Sequence, residues 1–300
     1  MKTNRWKAIW LILLGAASYG VLSTFVKLGY RNGFTPAEIT GSQVLFGAVT
    51  LWLLSLFQLR SMKGITWSDI IKLLVSGAFT GLTGYFYYLS LQVLDASIAV
   101  LLLFQFTWMG VLLGWAADRR APTGYQWGAM ALVMAGTVLA SGILAGSMER
   151  VSVQGVVLGL LAACCYTTFI WVSGRVAIHL QPLTRSTWMV TGAAAAVLSL
   201  MPPVFLWNGA MAEGLWFWAI LLSVFGMILP PYLYAKGAPS IETGLASVLG
   251  SVELPVVIVC SALLLQEPTG AMQWVGIIII LAGVGMSERR PASRASEYSV

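Results

Sequence analysis

Ten long apolar runs, separated by short polar connections, dominate this sequence and limit what the chain can fold into. Each run is close to the ~20 residues that an α-helix needs to cross ~30 Å of hydrocarbon. Because lipid offers the backbone no hydrogen-bond partners, we expect a helix in every run. The predicted spans are residues 7–28, 36–58, 70–91, 96–116, 123–143, 154–176, 184–205, 214–236, 242–266 and 270–287.

The scarcity of charge supports a membrane location. Of the 300 residues, 58% are hydrophobic and 9% are charged, whereas a soluble protein carries about 25% charged residues. So few charges cannot cover a soluble particle, which excludes cytosolic enzymes, secreted domains and nucleic-acid-binding proteins. Runs such as 99–104 and 277–281 also lack the alternation of a β-barrel strand. We therefore predict an all-α membrane protein.

The basic residues predict the orientation of the chain. Lys and Arg near span ends favour the cytoplasmic side. With the N-terminus inside, only Lys27, Arg31 and Arg150 of the 17 basic residues fall outside. Topology then explains the net charge of +6 without a nucleic-acid partner. We predict a multi-pass protein of the cell membrane, with both termini cytoplasmic and a short cytoplasmic tail at 289–300.

An internal repeat relates the two halves of the chain at an offset of 147 residues. Coincidences of Leu and Ala carry little weight in so apolar a chain, so the repeat rests on rarer residues. The matches are Tyr19 with Tyr166, Tyr-x-Tyr at 85–87 with the same motif at 232–234, and Gln-Trp at 126–127 with Gln-Trp at 273–274.

The repeat predicts an inverted architecture. Residues 1–147 and 148–288 each hold five predicted spans, and an odd number makes the second copy enter the membrane upside down. Inverted repeats of this kind recur in secondary transporters, whose binding sites lie near the bilayer midplane where the halves meet. We therefore predict ten transmembrane helices as two inverted five-helix repeats around a central cavity.

Four short motifs mark the last two spans: Ser-Val-Glu-Leu-Pro at 251–255, Gln-Glu-Pro at 266–268, Gln-Trp-Val-Gly at 273–276 and Leu-Ala-Gly-Val at 281–284. They resemble the EamA-type repeat of the drug/metabolite transporter superfamily. The resemblance implies ten helices with cytoplasmic ends, a central cavity, and export or exchange of small metabolites. The chain departs from the repeat at Thr107 and Trp108, where a proline is usual, and at Gln43, where many members carry arginine.

Glu253 is the acidic residue that lies near the middle of a predicted span. It follows Glu242 by 11 residues and precedes Glu267 by 14, which places it ~16–20 Å along its helix from either. No Lys or Arg lies at comparable depth, and a lone charged carboxylate in hydrocarbon costs at least ~2.5–3.5 kcal/mol. The side chain should therefore face a wet cavity, carry a proton, or bind a cationic group. The alternative is a protonated side chain that serves packing by a hydrogen bond to a neighbouring helix.

Depth and the internal repeat predict the neighbours of Glu253. Tyr19 and Tyr166 lie at mid-depth in related spans, and Gln105 and Trp108 lie one turn apart at the depth of Glu253. The predicted substrate-binding residues are Glu253, Tyr19, Tyr166, Gln105, Trp108, Tyr85, Tyr88, Tyr232 and Gln43.

Prolines interrupt two of the predicted spans. A proline removes one helix hydrogen bond and clashes with the preceding turn, so helices bend there. We therefore predict hinges at Pro230, Pro231 and Pro255.

Chemistry that is missing from the sequence narrows the function further. There is no Gly-x-x-x-x-Gly-Lys-Ser/Thr loop for ATP, no metal-binding cluster, and no Ser–His–Asp set at one depth. The three cysteines lie inside predicted spans, where they serve as small packing residues. We expect no metal and no cofactor. The absence of Lys and Arg from the middle of the spans disfavours phosphorylated substrates.

The sequence thus predicts a secondary transporter, an exporter or exchanger of small metabolites that works by alternating access, rather than an enzyme. Amino acids, nucleosides and amine-bearing compounds all fit a midplane carboxylate, with protons as the expected coupling ion. Two alternatives stay open: a lipid-carrier flippase on the same scaffold, and an intramembrane enzyme with Glu253 as general base. The enzyme would need a second polar group at that depth, and Gln105 is a weak partner.

Overall fold

The computed structural model describes residues 4–57, 64–94, 96–119, 121–143, 152–266 and 269–287. Within these ranges the regular structure is helical and contains no strand, so the predicted all-α class is confirmed there. The tail predicted at 289–300 and two residues of the motif at 266–268 lie outside the described residues.

The described residues form thirteen α-helices, joined in places by short 3₁₀ or π-helical turns. Each predicted span contains one of these helices or two in succession. In chain order they are α1 (Arg5–Arg31), α2 (Pro36–Leu56), α3 (Trp67–Leu91), α4 (Ala96–Leu103), α5 (Phe106–Asp118), α6 (Gly124–Ala140), α7 (Val153–Ser173), α8 (Pro182–Leu200), α9 (Trp216–Ser223), α10 (Leu229–Gly237), α11 (Thr243–Gly250), α12 (Glu253–Leu264) and α13 (Ala271–Ser287).

Seven helical segments among the described residues are long and apolar enough to cross a membrane. They are Arg5–Arg31, Pro36–Leu56, Trp67–Leu91, Ile98–Ala117, Val153–Ser173, Met211–Ser240 and Thr243–Leu264. The helix α13 is apolar but shorter, and α6 and α8, of 17 and 19 residues, occupy the two remaining predicted spans. The protein is therefore a multi-pass membrane protein.

One predicted boundary is wrong. The apolar run predicts a seventh span that reaches residue 205, but α8 ends at Leu200. Pro202 and Pro203 follow, and a proline supplies no amide hydrogen and disfavours the helical conformation of the residue before it. A 3₁₀ turn, Val204–Leu206, stands where the last helical turn is predicted.

Successive spans alternate in direction, so the bundle has two faces. We call the face at which α1 begins the basal face and the opposite one the apical face. The helices α1, α3, α6, α8 and α11 begin at the basal face, and α2, α4, α7, α9 and α13 begin at the apical face. One cavity at the basal face accordingly gathers the start of α1, the ends of α5 and α7, and the start of α11.

Two spans are broken in the middle, at positions 147 residues apart. The helix stops at Phe104 and Gln105 between α4 and α5, and at Ser251 and Val252 between α11 and α12. Pro255 lies in the first turn after the second break and lacks the amide hydrogen that would bond to the Ser251 carbonyl. The first break contains no proline, so packing against other helices must impose it.

The span that contains Pro230 and Pro231 also departs from a regular helix. A π-helical turn, Val224–Ile228, separates α9 from α10, and both prolines lie in the first turn of α10. Their missing amide hydrogens would otherwise bond to Gly226 and Met227, four residues earlier. Such π-helical turns are frequent at functional sites.

Helices of the first half pack mainly against helices of the second. The helix α6 packs on α13, α5 on α11, and α2 on α8. In addition, α3 packs on α7 and α8. Correspondingly, α10 packs on α1 and α9 packs on α2. When every span is replaced by its counterpart 147 residues away, with α4 and α5, α9 and α10, and α11 and α12 each counted as one span, this set of neighbouring spans stays the same.

Small residues let α3 and α8 approach each other at backbone distance. A Cβ atom at Gly77 would overlap the backbone carbonyl of Met189, and one at Gly192 would overlap that of Leu74. Membrane helices associate largely through such van der Waals packing. One helix from each half therefore forms a tightly packed pair beside the site described below.

Arg185 is not an exposed basic residue, although it lies near a span end. Its side chain is 1% exposed at the basal start of α8. The guanidinium donates to the backbone carbonyls of Ser173 at 2.6 Å, Val176 at 3.0 Å and Ala235 at 2.5 Å. These carbonyls lie at or just beyond the ends of α7 and α10, where the helix dipole is negative. Arg185 thus ties three helices of the second half together.

Candidate functional site

A cavity of about 110 Å³ lies among the middle parts of α1, α2, α3 and α7, and we call it the central cavity. Its lining extends from mid-helix toward the apical face, through the apical halves of α1, α2 and α3. The lining residues are Tyr19, Leu22, Ser23, Thr40, Gln43, Val44, Thr80, Gly81, Thr83, Gly84, Tyr87, Tyr88, Leu103, Tyr166, Val197, Met227 and Glu253.

Glu253 lines this cavity as the first residue of α12, directly after the helix break. The Tyr166 hydroxyl donates a hydrogen bond to Glu253 Oε2 at 3.1 Å. The helix α1 passes close by, because residue 20 is a glycine: a Cβ atom at Gly20 would lie 2.7 Å from the Glu253 carbonyl oxygen. The described lining contains no Lys, Arg or His. A cation that entered the cavity would therefore meet an acidic partner held by a neutral donor.

Three hydroxyl groups of the lining have no hydrogen-bond partner within the described part of the chain. They belong to Tyr19, Thr40 and Thr80. A buried polar group without a partner costs about 1–3 kcal/mol, and such groups are few in native structures. Their position around Glu253 indicates a site for a polar guest inside an apolar bundle.

Five of the nine predicted site residues line the central cavity: Glu253, Tyr19, Tyr166, Tyr88 and Gln43. The rings of Tyr19 and Tyr166, which the repeat relates, meet edge to face with centroids 5.9 Å apart. Gln43 is buried and lies next to the π-helical turn between α9 and α10. The structure therefore brings residues from α1, α2, α3, α7 and α12 to one place.

The other four predicted residues lie outside that lining: Gln105, Trp108, Tyr85 and Tyr232. The Gln105 Nε2 atom donates to the Leu101 carbonyl at 2.9 Å, and Trp108 Nε1 donates to Gln105 Oε1 at 2.8 Å. Gln105 thus supplies a hydrogen bond that the interrupted backbone of α4 lacks, and Trp108 holds it there.

Tyr85 and Tyr232 contact other surfaces. The Tyr85 ring packs edge-on against Phe86, with centroids 5.6 Å apart. Tyr232 lies under the Lys236 ammonium group, 5.6 Å from its ring centroid, and lines a groove of about 390 Å³ between α2, α8 and α10. We call this the lateral groove, and its lining is Leu51, Leu54, Phe57, Gln181, Pro182, Leu183, Ile228, Leu229 and Tyr232.

Twelve residues of the lining are absent from the predicted set, and five of them lie on α3. Thr80, Thr83 and Tyr87 follow one another there at helical spacing and face the cavity together. Residues at i, i+3 and i+7 share one face of a helix, so this polar stripe is a signal that the sequence does contain. In the repeated Tyr-x-Tyr motif, Tyr87 rather than Tyr85 reaches the cavity.

Four buried aromatic rings lie on the basal side of the central cavity, and we call Phe106, Tyr166, Phe169 and Tyr234 the aromatic layer. Each side chain is at most 5% exposed. Ring centroids are 4.7 Å apart for Phe106 and Tyr166, 6.0 Å for Tyr166 and Phe169, and 5.3 Å for Phe169 and Tyr234. The layer separates the central cavity from the basal face.

A second cavity, of about 560 Å³, lies beyond the aromatic layer at the basal face, and we call it the basal vestibule. The Gln126 Nε2 atom donates to Glu242 Oε2 at 3.0 Å, and Arg175 Nη1 donates to Thr243 Oγ1 at 2.6 Å. The first of these bonds joins the two halves of the chain. The lining is Arg5, Val111, Gly114, Trp115, Pro122, Gln126, Gly174, Arg175, Ala238, Pro239, Ser240, Ile241, Glu242, Thr243, Gly244 and Leu245.

A further polar contact joins the halves at the basal surface. His179 Nε2, in the turn between α7 and α8, lies 3.5 Å from Asp69 Oδ2 in the first turn of α3. The same Asp69 oxygen accepts a hydrogen bond from the Thr66 hydroxyl at 2.7 Å. Polar contacts at Glu242, at Asp69 and between the Ser55 and Thr187 hydroxyls, 2.8 Å apart, therefore join the two halves near the basal face.

The polar groups of the central cavity are a carboxylate, hydroxyls and an amide. Within the described ranges, no group of three or more His, Cys, Asp or Glu side chains is placed to hold a metal ion. Cys164, Cys165 and Cys260 are free thiols. The arrangement around Glu253 is thus suited to binding through hydrogen bonds and charge.

The chain is similar to known membrane transporters over nearly its whole length. The model of the EamA-like transporter family matches it twice, over residues 6–142 and 153–288. The threonine/homoserine exporter RhtA of Salmonella typhimurium is 26% identical over 287 residues, which cover 92% of this chain and 90% of the exporter. The Uncharacterized transporter sll1319 of Synechocystis sp. is 22% identical over 304 residues, which cover 92% and 91%.

Solved structures are similar in fold, and one crystal structure among them illustrates the likeness. It aligns with a TM-score of 0.78 over 99% of this chain and 100% of the other. The two sequences are 15% identical, so this likeness shows the fold alone.

Proposed function

Because the chain belongs to the EamA-like transporter family, we propose that it carries small amino-group-bearing metabolites across a membrane, with amino acids as the first candidates. The observation that carries this proposal is Glu253, a carboxylate in a cavity whose described lining holds no Lys, Arg or His. A substrate ammonium group would supply the positive charge. Nucleosides and amine-bearing compounds would meet the same carboxylate, but drug-sized ligands occupy pockets of about 300–1,000 Å³, so a cavity of about 110 Å³ favours amino acids.

The hydroxyl groups near Glu253 favour a polar amino acid. Those of Tyr19, Thr40 and Thr80 can donate to a substrate carboxylate or accept a hydrogen bond from a substrate hydroxyl. The relative from Salmonella typhimurium is named an exporter of threonine and homoserine, and both of these amino acids carry a side-chain hydroxyl. L-Threonine is therefore the first substrate to test, and export is the direction that the relative supports.

In this proposal ten helical segments cross the membrane as two inverted repeats, residues 1–147 and 148–288, with a tail at 289–300. Three observations support the arrangement. The family model matches once in each half, the two helix breaks lie 147 residues apart, and the pairs of neighbouring spans stay the same when the halves are exchanged. Inverted repeats allow one half to rock against the other around a shared site.

We infer that the basal face lies in the cytoplasm of a cell membrane, because most of the basic residues lie near that face. The central cavity then extends outward, and the aromatic layer closes it toward the cytoplasm. Rocking of the halves would part the aromatic layer and connect Glu253 with the basal vestibule. The two helix breaks and the π-helical turn before Pro230 and Pro231 are the places where the helices would bend.

Protons are the coupling ion in this proposal. The ionised Glu253 carboxylate can form an ion pair with a substrate ammonium group. Once it binds a proton it is neutral and can no longer form that ion pair. The two would therefore bind alternately, and a proton that enters would drive a substrate molecule out.

The test is transport of radiolabelled L-threonine by purified protein in liposomes, with and without an imposed pH step. We expect Glu253→Gln to lower transport about ten- to hundredfold, because a hydrogen bond to a charged group contributes about 1.5–3 kcal/mol, and to abolish the response to the pH step. Glu213→Gln is the matched control, since Glu213 is exposed and lies outside both cavities. An unchanged rate, KM and pH response in Glu253→Gln would contradict the proposal.

The lateral groove supports one second candidate, a lipid-carrier flippase on the same scaffold. Its lining is mainly apolar, and Leu54 and Leu229 are 44% and 37% exposed at the surface of the bundle. A polyprenyl chain would fit such a surface. Thermal stabilisation of the purified protein by a polyprenyl phosphate, but not by L-threonine, would favour the flippase.

A further inference from the structure

The basal vestibule differs in charge from the central cavity. Its lining carries both signs, with the basic residues Arg5 and Arg175 and the acidic residue Glu242. Its volume of about 560 Å³ falls within the range of small-molecule pockets, about 300–1,000 Å³. Its lining shares no residue with that of the central cavity, so the two cavities are distinct sites.

Neighbouring groups hold an acidic and a basic side chain in place on one side of the vestibule. The Glu242 carboxylate accepts a hydrogen bond from Gln126 of α6 at 3.0 Å. The Arg175 guanidinium donates a hydrogen bond at 2.6 Å to the hydroxyl of Thr243, the residue that follows Glu242. It also lies over the Trp171 ring, 5.1 Å from the centroid. The acidic side chain of Glu242 and the basic side chain of Arg175, which bonds to Thr243, are thus anchored at neighbouring places.

We propose that the basal vestibule is a second binding site, which takes the zwitterionic form of an α-amino acid. The substrate carboxylate contacts Arg175, whose planar guanidinium matches a carboxylate, and the substrate ammonium group contacts Glu242. This inference rests on the proposed transport of amino acids and names the place where the substrate arrives from the basal side.

The two sites recognise opposite ends of one molecule. The central cavity offers a carboxylate but, in its described lining, no cation, so it selects for the ammonium group. The vestibule offers guanidinium groups, so it selects for the carboxylate. A compound that carries an amine but no carboxylate can bind in the central cavity but lacks the group that the basal vestibule binds. Passage through both therefore discriminates in favour of zwitterions.

The walls of the vestibule continue into both broken spans. Val111 of α5 and Leu245 of α11 line it. The helix α5 begins at Phe106, in the aromatic layer, and α11 ends one break before Glu253. An amino acid held in the vestibule therefore contacts the two helices whose movement would open the aromatic layer above it.

The experiment is equilibrium binding of radiolabelled L-threonine to the full chain in lipid nanodiscs. We expect wild type to bind two molecules per chain, and Glu253→Gln and Arg175→Gln to bind one each. Lys72→Gln is the matched control, because it removes an exposed positive charge at the basal start of α3, outside the vestibule. This control should still bind two.

Competition in the wild-type protein identifies each site without any substitution. L-Threonine amide, which lacks the carboxylate, should displace only the molecule that Arg175→Gln retains. Dihydroxybutyrate, which lacks the amine, should displace only the molecule that Glu253→Gln retains. Glu242→Gln, which leaves Arg175 intact, should weaken the vestibule site about tenfold, the effect of losing one hydrogen bond to a charged group.

The outcomes separate this inference from the function on which it rests. One bound threonine per wild-type chain, lost in Glu253→Gln and unaffected by Glu242→Gln, would overturn the second site and leave the proposed function standing. No binding of L-threonine to wild type at all would overturn the proposed substrate and the vestibule site together. If Arg175→Gln loses both molecules and unfolds, the competition experiment in wild type decides.

Discussion

The two broken spans occupy equivalent positions in the two halves, but their chemistry differs. The break between α11 and α12 precedes Glu253 and presents a carboxylate to the central cavity. The break between α4 and α5 precedes Phe106, the counterpart of Glu253 at the 147-residue offset, and presents a buried aromatic ring. At this first break the side-chain amide of Gln105 donates a hydrogen bond to the backbone carbonyl of Leu101.

Tyr166 lies between these two counterparts. Its ring packs on Phe106, with centroids 4.7 Å apart, and its hydroxyl donates to Glu253 at 3.1 Å. The backbones of the two breaks correspond, yet only one of them carries an acid. A symmetric scaffold thus holds an asymmetric site, and the difference between the breaks is where function should be sought.

Among the substitutions that test this difference between the breaks, Tyr166→Phe should change transport most. It removes the hydroxyl that donates to Glu253 and keeps the ring in the aromatic layer. Because a hydrogen bond to a charged group contributes about 1.5–3 kcal/mol, the KM for L-threonine should rise about tenfold or more in the liposome assay. Tyr19→Phe, at the related position, is the control and should have a smaller effect, since a neutral hydrogen bond contributes about 0.5–1.5 kcal/mol. Equal effects would show that the two tyrosines serve the site alike.

Gln105→Leu tests whether the first break is purely structural. The change leaves the Leu101 carbonyl and the Trp108 indole nitrogen without their partner. We expect the free energy of unfolding to fall by about 1–3 kcal/mol, measured by denaturant unfolding in detergent, while the KM for L-threonine stays the same. A clear rise in KM would return Gln105 and Trp108 to the substrate site, as the sequence predicts, and would remove the contrast.

The smallest effect is expected from Pro255→Ala. The related span breaks at the same offset without a proline, so the break between α11 and α12 should persist when the amide hydrogen is restored. We expect a change in stability below about 1 kcal/mol and a change in maximal transport rate below about fivefold, which corresponds to the same energy. A loss of transport well beyond that would show that Pro255 itself is the hinge.

Much of the fold follows from patterns that are local in the chain. The length of each apolar run predicts the helices, and all ten runs contain one. The end of α8 at Leu200 is also a local feature, because Pro202 and Pro203 follow it closely in the chain. The depth of Glu253 follows from counting residues along one helix, because each residue advances it by about 1.5 Å.

The lining of the central cavity was predicted only in part, because depth does not specify the direction of a side chain. Gln105 and Trp108 lie at the predicted depth but bond to each other and to α4. On α3 the cavity is reached by Thr80 and Tyr87 rather than by Tyr85. Which side of a helix faces a cavity depends on its neighbours, and an almost uniformly apolar helix carries little pattern to reveal them.

Apolar runs, sparse charge and the 147-residue repeat were sufficient to establish a helical membrane protein and to single out Glu253. Packing between distant segments settled the rest: the break at Phe104 and Gln105 without a proline, the burial of Arg185, and the separation of two cavities by the aromatic layer. The physical reason is that a helix in lipid satisfies its own backbone, whereas its rotation, its breaks and its cavities arise from contacts with other helices.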